Sequence, residues 1–149
     1  MHKVSNNRSN CPVSSVLDLM GDCWSSLIVR DLFMQRTTFS DFLAAPEKIS
    51  SNILTDRLQK LKGYQIIDYT LDPKNRKIKK YFLTDMGIDL YPIICEMSYW
   101  SKKHLDMEFH PLSVTWFAEN ENKTLDQIIE NDTQSYIAFR KKIKKSLVG

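Results

Sequence analysis

Apolar and polar residues follow helical spacing from Lys48 to Leu61, and the rest of the chain can be placed around this stretch. At about 100° per residue, one face of a helix is apolar and the opposite face is polar. The apolar face consists of Ile53, Leu54, Leu58 and Leu61. The polar face consists of Asn52, Thr55, Asp56 and Gln59. With Ser50 as a suitable N-cap, the pattern predicts a helix that buries one face and presents hydrogen-bonding groups on the other.

Shorter elements precede this helix. A first helix is predicted from Pro12, because proline is favoured at the first helical position, and Asp22 is a suitable N-cap for a second helix. Residues 36–38 are long enough for a very short strand, and residues 39–45 predict a compact helix. A compact helix, a tight connector and an amphipathic second helix are typical of a helix-turn-helix, although a plain pair of antiparallel helices has the same spacing.

After Gly63 the spacing changes from helical to extended. Residues 65–71 and 78–83 are rich in β-forming residues and flank a turn at residues 72–75. They predict a β-hairpin whose tip carries Lys74, Arg76 and Lys77. A helix-turn-helix followed by a basic-tipped hairpin predicts a winged helix. In that fold the second helix can enter a DNA major groove and the hairpin, or wing, can contact phosphates or the minor groove.

A wide apolar helix is predicted after the hairpin, with Thr84 as its N-cap. Its apolar residues leave little polar surface, so it must bury against its own domain and against a second surface, for which another subunit is the economical choice. Pro92 is expected to kink this helix or to divide it into two segments. The residues assigned to the dimer interface are Leu90, Ile94, Met97 and Trp100.

The two ends of the chain differ from its middle. Residues 1–10 are polar and predict a flexible N-terminal arm. Residues 11–105 form the predicted DNA-binding and dimerisation domain, and residues 106–149 are expected to form a helical extension packed on the same domain. Thr124 and Gln127 have capping-box spacing for the last helix, and residues 131–133 are a candidate break within it.

Charge is distributed unevenly, although the formal net charge is only +3. Nine basic and three acidic residues lie between Lys48 and Lys80, and the remainder of the chain is net negative. This clustering favours a polyanion as partner. It argues against the alternative that the winged helix is a protein–protein interaction module without specific DNA binding.

Composition excludes several other classes. A hydrophobic content of 42% is ordinary for a globular protein, and no apolar run is long enough for a membrane span or a signal peptide, so we expect a cytoplasmic protein. Three cysteines without CxxC spacing indicate neither a disulfide framework nor a zinc site, and no cofactor is expected. We expect no enzyme, because glycine-rich phosphate loops and the GxSxG and HExxH motifs are missing from the sequence.

The order and spacing of several short pieces resemble the HxlR family of bacterial winged-helix regulators, which are related in architecture to MarR-type proteins. The resemblance runs from Cys11 to about His104. Its pieces are Cys11-Pro12-Val13, Leu17-Asp18-Leu19-Met20-Gly21, Trp24-Ser25-Ser26-Leu27-Ile28, Phe39-Ser40-Asp41-Phe42, Pro46-Glu47-Lys48-Ile49, Asn52-Ile53-Leu54-Thr55-Asp56-Arg57-Leu58, Tyr81-Phe82-Leu83-Thr84, Trp100 and His104. The chain departs from the family at Gln65, where a helix-ending glycine is usual, and at Lys79, where an apolar residue is usual.

The resemblance implies an α+β, mostly helical fold, with a two- or three-stranded wing sheet and added dimerisation helices. It also implies a homodimeric transcriptional regulator that binds an inverted repeat in double-stranded DNA, and we expect this regulator to be a repressor. The residues expected to read bases are Ser51, Asn52, Thr55 and Gln59. Those expected at the DNA backbone are Ser50, Arg57, Lys60, Lys62, Lys74, Arg76 and Lys77. For Arg57, an internal ion pair is the alternative to a phosphate contact.

Cys11 is the candidate sensing residue. A thiol at a helix N-terminus is biased toward the reactive thiolate by the helix dipole, and some family members sense oxidants or electrophiles through a cysteine at the matching position. A small-molecule or electrophile effector is therefore a candidate partner, and an inert packed residue is the alternative. Cys23 and Cys95 are expected to be core residues, and no metal site is expected.

Overall fold

The computed structural model describes residues 9–145, so most of the flexible arm predicted for residues 1–10 lies outside the described residues. Helices dominate the described part, and a two-stranded antiparallel sheet lies in the middle of the chain. The elements are α1 (Pro12–Met20), α2 (Cys23–Phe33), α3 (Phe39–Leu43), α4 (Ser51–Gly63), β1 (Ile67–Leu71), β2 (Lys79–Leu83), α5 (Asp85–Ile88), α6 (Tyr91–His104), α7 (Pro111–Glu119) and α8 (Leu125–Lys145). The predicted winged helix-turn-helix is confirmed.

Side-chain caps fix the starts of several helices. Asp22 accepts a hydrogen bond from the backbone N–H of Ser25 at 3.0 Å, and Ser50 accepts one from Ile53 at 3.3 Å. Thr84 caps α5 in the same way, so the three predicted N-caps are confirmed. Because Ser50 is the cap, α4 begins at Ser51 and ends at Gly63, and the span predicted from Lys48 to Leu61 is shifted by about one turn.

The main core lies between α2, α3, α4 and the sheet. The apolar face of α4 packs into it as predicted: Leu54, Leu58 and Leu61 are buried and Ile53 is half-buried. The core is completed by Ile28, Val29, Leu32, Phe42, Ile49, Ile66, Ile67, Tyr81, Leu83, Ile88 and Tyr136. Burial of these side chains fixes the depth at which α4 sits and leaves its opposite face in solvent.

The wing contains two strands. Ile67 pairs with Leu83 and Leu71 pairs with Lys79. Compared with the predicted segments 65–71 and 78–83, β1 begins two residues later and β2 begins one residue later. The short strand considered for residues 36–38 does not form in the described part of the chain. Instead, the backbone N–H of Tyr81 donates to the carbonyl of Thr37 at 2.8 Å, a single bond that occupies part of the outer edge of β2.

Pro92 separates two helices, as predicted. It lies in the first turn of α6, where its missing N–H costs nothing, and α5 ends at Ile88. One expectation for the C-terminal part is wrong, because residues 131–133 do not break α8, which is continuous over 21 residues. The segment before it, which shows no clear period in the sequence, forms α7 over Pro111–Glu119.

Asp132 explains why α8 continues through its polar stretch. Its carboxylate accepts a hydrogen bond from Trp116 Nε1 of α7 at 3.0 Å and another from the Tyr91 hydroxyl of α6. These residues border a second cluster built around Tyr91, Cys95 and Ile128. The polar residue therefore faces other helices and joins them to α8.

One turn further along, α8 binds the end of the wing. The backbone N–H of Leu83 donates to the Tyr136 hydroxyl at 2.9 Å, and Arg140 donates to the Leu83 carbonyl at 3.0 Å and to the Asp85 carboxylate at 2.6 Å. Both backbone polar groups of the buried residue Leu83 thus have partners on α8. The capping box of Thr124 and Gln127 that starts this helix is confirmed.

Candidate nucleic-acid interface

The outer face of α4 presents a row of short polar side chains. Ser51, Asn52, Thr55 and Gln59 are all exposed, as a role in reading bases requires. The Thr55 hydroxyl donates to the Ser51 carbonyl at 2.8 Å, so its proton is used within the helix and its oxygen is left to accept. The sequence pattern placed this row correctly on the solvent face.

The cations on α4 and at its end have acidic partners within the chain. Arg57 Nε donates to Asp22 at 2.8 Å and its Nη1 donates to the neighbouring Asp56. Lys60 also pairs with Asp56, at 3.3 Å. Lys62 pairs with Asp68 of β1 at 2.6 Å, and this contact is the first cause of the raised pKa of Lys62.

The Asp22 carboxylate has two structural roles. It caps α2 through Ser25 and pairs with Arg57, which lies 35 residues further along the chain. Burial acts to raise the pKa of Asp22, but the hydrogen bonds from Ser25 and Arg57 outweigh it and hold the pKa below 3.8. The charged form of Asp22 is therefore the one that this site favours.

The wing tip is the second basic surface. Asp72 Oδ1 accepts from the backbone N–H groups of Lys74 and Asn75 at 2.8 and 3.1 Å, which orders the turn. Within residues 9–145, Lys74, Arg76 and Lys77 form no ion pair, in contrast to the cations of α4, and all three are exposed. Among the cations predicted to contact the DNA backbone, those without an ion pair in the described residues are thus the three at the wing tip.

Lys79 stands at a position where the family usually has an apolar residue, and it has an aromatic neighbour. Its Nζ lies 4.4 Å from the centre of the Tyr69 ring on the facing strand, and Lys62 Nζ lies 5.0 Å from the same ring. A cation over an aromatic face is stabilising. The register of the wing is therefore maintained with a lysine at this position.

The residues assigned to the dimer interface fall into two groups. Leu90 and Ile94 are half-buried and pack against the main core, whereas Met97 and Trp100 are 57% and 59% exposed. Ile93, which the sequence assignment omitted, is 47% exposed, and together with Ile94, Met97 and Trp100 it lines an apolar groove along α6. Three residues of α1 are also exposed and apolar: Val13, Val16 and Leu17.

The cysteines are distributed differently from expectation. Cys95 is buried, as predicted, and burial raises its pKa to about 11. Cys23 is exposed, so its prediction as a core residue is wrong. Side chains tilt toward the helix N-terminus, so that of the first residue of α2 extends beyond the helix. Cys11 is exposed at the N-cap of α1 and its side chain makes no capping bond.

Residues 9–145 contain no cluster of three histidine, cysteine or acidic side chains placed to hold a metal ion. No helix in that part of the chain is both long and apolar enough to cross a membrane.

The HxlR-like helix-turn-helix family model matches residues 19–109. The chain belongs to this family. The HxlR-like segment spans α2 to α6, and α7 and α8 lie beyond it. The chain is thus a transcriptional regulator of the helix-turn-helix type, in a family of regulators and not of enzymes.

Individual relatives agree with this assignment. The HTH-type transcriptional regulator YvaP of Bacillus subtilis is 30% identical over 70% of this chain and 97% of its own length. The crystal structure of PA1607 superposes with a TM-score of 0.63 and 32% identity, covering 72% of this chain and 75% of that protein. The redox regulator HypR in its oxidised form superposes with a TM-score of 0.58 and 26% identity, covering 65% of this chain and all of that protein.

Proposed function

We propose that this HxlR-family regulator binds an inverted repeat in double-stranded DNA as a homodimer, in the cytoplasm, and represses transcription there. The exposed row on α4 carries the proposal. Ser51, Asn52, Thr55 and Gln59 offer amide and hydroxyl groups from a helix that is fixed by its buried face. Asn52 or Gln59 can form two hydrogen bonds with an adenine edge in the major groove.

The positions of the cations support the same proposal. Lys74, Arg76 and Lys77 at the wing tip are exposed, and Ser50, Lys60 and Lys62 lie at the two ends of α4. A pair of wings and a pair of recognition helices would place cations along both strands. Because each neutralised phosphate releases counterions, we expect binding to weaken steeply with added salt.

The apolar groove along α6 supports a dimer. Ile93, Met97 and Trp100 would leave an exposed apolar surface in water unless a partner covers it. Regulators of this family are typically dimers, and a two-fold dimer explains an inverted-repeat site. Sedimentation analysis should give a dimer for the native chain and a monomer for Trp100→Asp, with Leu112→Asp on α7 as an exposed control.

Footprinting on the DNA flanking its own gene tests the function. We expect two protected half-sites separated by about one helical turn or a multiple of it. Asn52→Ala should weaken specific binding by about 1–3 kcal/mol, and the exposed Asn131→Ala on α8 should bind like the native chain. An unprotected flanking region, or binding that does not change with salt, would contradict the proposal.

The direction of regulation has its own test. We expect transcription from the bound promoter to rise when the gene is deleted and to fall again when it is restored. A fall on deletion would identify an activator and contradict repression.

Cys11 is the proposed sensing residue, and oxidants or electrophiles are the proposed effectors. Its thiol is exposed at the start of α1, and HypR, a similar protein, is a redox regulator. Diamide should release the native protein from DNA and should fail to release Cys11→Ser. Cys23→Ser is the matched control because Cys23 is also an exposed thiol at a helix start. If Cys11→Ser responded like the native protein, Cys11 would not be the sensor.

A further inference from the structure

An ion pair between Arg57 and Asp22 connects the recognition helix α4 to α2, and no sequence pattern indicates Asp22 as the partner. Arg57 lies on α4 between the apolar stripe and the polar face, and 23% of its side chain is exposed. Its Nε donates to Asp22 Oδ1 at 2.8 Å, and its Nη1 donates to Asp56. Two of its three guanidinium nitrogens therefore have carboxylate partners, which fixes the direction of the side chain.

Asp22 is held as firmly from the other side. Oδ1 also accepts from the Ser25 backbone N–H at 3.0 Å, and Oδ2 accepts from the Ser25 hydroxyl at 2.5 Å. The carboxylate thus belongs to the first turn of α2, which is anchored in the main core by Ile28 and Val29. A group fixed by the core on one side and by Arg57 on the other can set the position of α4.

We infer that Arg57 is a positioning residue, which orients the base-reading face of α4 through Asp22 instead of neutralising a phosphate. This inference rests on the proposed DNA binding and specifies the role of one residue in it. The buried residues Leu54, Leu58 and Leu61 fix the depth of α4, but apolar contacts are non-directional and leave rotation about its axis less restricted. The Arg57–Asp22 pair is directional and resists that rotation, so Asn52 and Thr55 keep the orientation that contact with the bases requires.

The two roles of Arg57 predict opposite effects of Asp22→Asn. Asparagine is as good an N-cap as aspartate, so α2 keeps its cap while the ion pair loses its charge. Removing a negative charge near DNA should strengthen binding or leave it unchanged if Arg57 contacts a phosphate. If Arg57 is a positioning residue, the same change should weaken specific binding by about three- to fivefold, the size of one partly exposed ion pair.

Four variants, the native chain and a salt titration complete the experiment. Asp22→Asn, Arg57→Gln and the double variant should lose the same affinity, because both single changes break one interaction. The slope of log affinity against log salt should stay at the native value in all three. Lys77→Gln at the wing tip is the control for a phosphate contact, and the magnitude of its slope should be smaller than the native value by about 0.9.

Hydrogen exchange without DNA separates failure of the inference from failure of the proposed function. In Asp22→Asn, amides in the first half of α4 should exchange several-fold faster than in the native protein, while those of α8 should be unchanged. Unchanged exchange in α4, a gain in affinity for Asp22→Asn, or a reduced salt slope for Arg57→Gln would each overturn the positioning role. If the native chain bound no DNA, the proposed function would fail, and the exchange result would still decide whether the pair positions α4.

Discussion

Gln65 occupies a backbone conformation that glycine tolerates better, and replacing it with glycine should stabilise the protein. Its φ is 60°, in the left-handed region, directly after α4. Its backbone N–H donates to the Lys62 carbonyl at 2.9 Å, and its carbonyl accepts from the Thr84 hydroxyl at 2.6 Å. Both bonds use backbone groups of Gln65 and therefore survive the change, and the Gln65 side chain is exposed. The family's usual glycine thus corresponds to a conformational requirement that this chain meets with glutamine.

The expected gain follows from two opposing terms. A Cβ in the left-handed region costs about 1–2 kcal/mol, because it approaches the following carbonyl oxygen. Glycine loses about 0.5–1 kcal/mol through the greater freedom of the unfolded chain. The net stabilisation of Gln65→Gly should be about 0.5–1 kcal/mol, which raises the melting temperature by about 2–3 °C for a domain of this size.

Thermal and urea unfolding at one protein concentration measure this difference, since dimerisation makes stability depend on concentration. Gln59→Gly is the matched control, because it makes the same replacement at an exposed position inside α4. There the helix favours glutamine, so stability should fall by about 0.5–1 kcal/mol. Equal losses in the two variants would refute the explanation based on backbone conformation.

Four other measurements test the packing of the chain. Tyr136→Phe removes the acceptor for the buried N–H of Leu83 and should cost about 1–3 kcal/mol in urea unfolding; a neutral change would contradict the role of that bond. Asp132→Ala leaves two ring donors without their acceptor and should cost about 2–4 kcal/mol, against no more than about 0.5 kcal/mol for a typical surface substitution on α8. Burial acts to raise the pKa of Asp41, but backbone hydrogen bonds lower it below 3.8; Asp41→Asn should therefore cost about 1 kcal/mol at pH 7, and its difference from the native chain should shrink as the pH falls below about 4. Because burial raises the pKa of Cys95 to about 11, iodoacetamide at pH 8 should label it only after unfolding, whereas equally fast labelling of all three cysteines would show that it is accessible.

The sequence was informative wherever one local rule decided the outcome. Helical spacing placed the buried and exposed faces of α4, and single polar residues identified the caps at Asp22, Ser50 and Thr84. Pro92 correctly predicted that one helix ends and another begins before it, because the missing N–H of a proline is tolerated in the first turn of a helix. These signals act over a few residues, and they can be interpreted before the chain is folded.

Features that depend on distant residues were not accessible in this way. Asp132 looked like a helix break because a polar residue in sequence carries no sign of the ring donors that meet it from α6 and α7. The pairing of Arg57 with Asp22 joins residues 35 positions apart, so the alternatives for Arg57 had to stay open. The left-handed conformations of Gln35, Lys48 and Gln65 also escaped detection, because they occur at residues other than glycine.

The hydrogen bonds on the outer edge of β2 also affect the tendency of the protein to aggregate. The outward N–H groups of Tyr81 and Leu83 donate to the Thr37 carbonyl and the Tyr136 hydroxyl, so these two donors are not available to a strand from another molecule. Exposed strand edges are templates for aggregation, and here a helix from outside the family segment covers part of one. A fragment that ends before α8 would leave the Leu83 N–H on this edge without its partner and would expose the core residues that α8 covers. We expect such a fragment to associate with itself through the wing and to lose solubility.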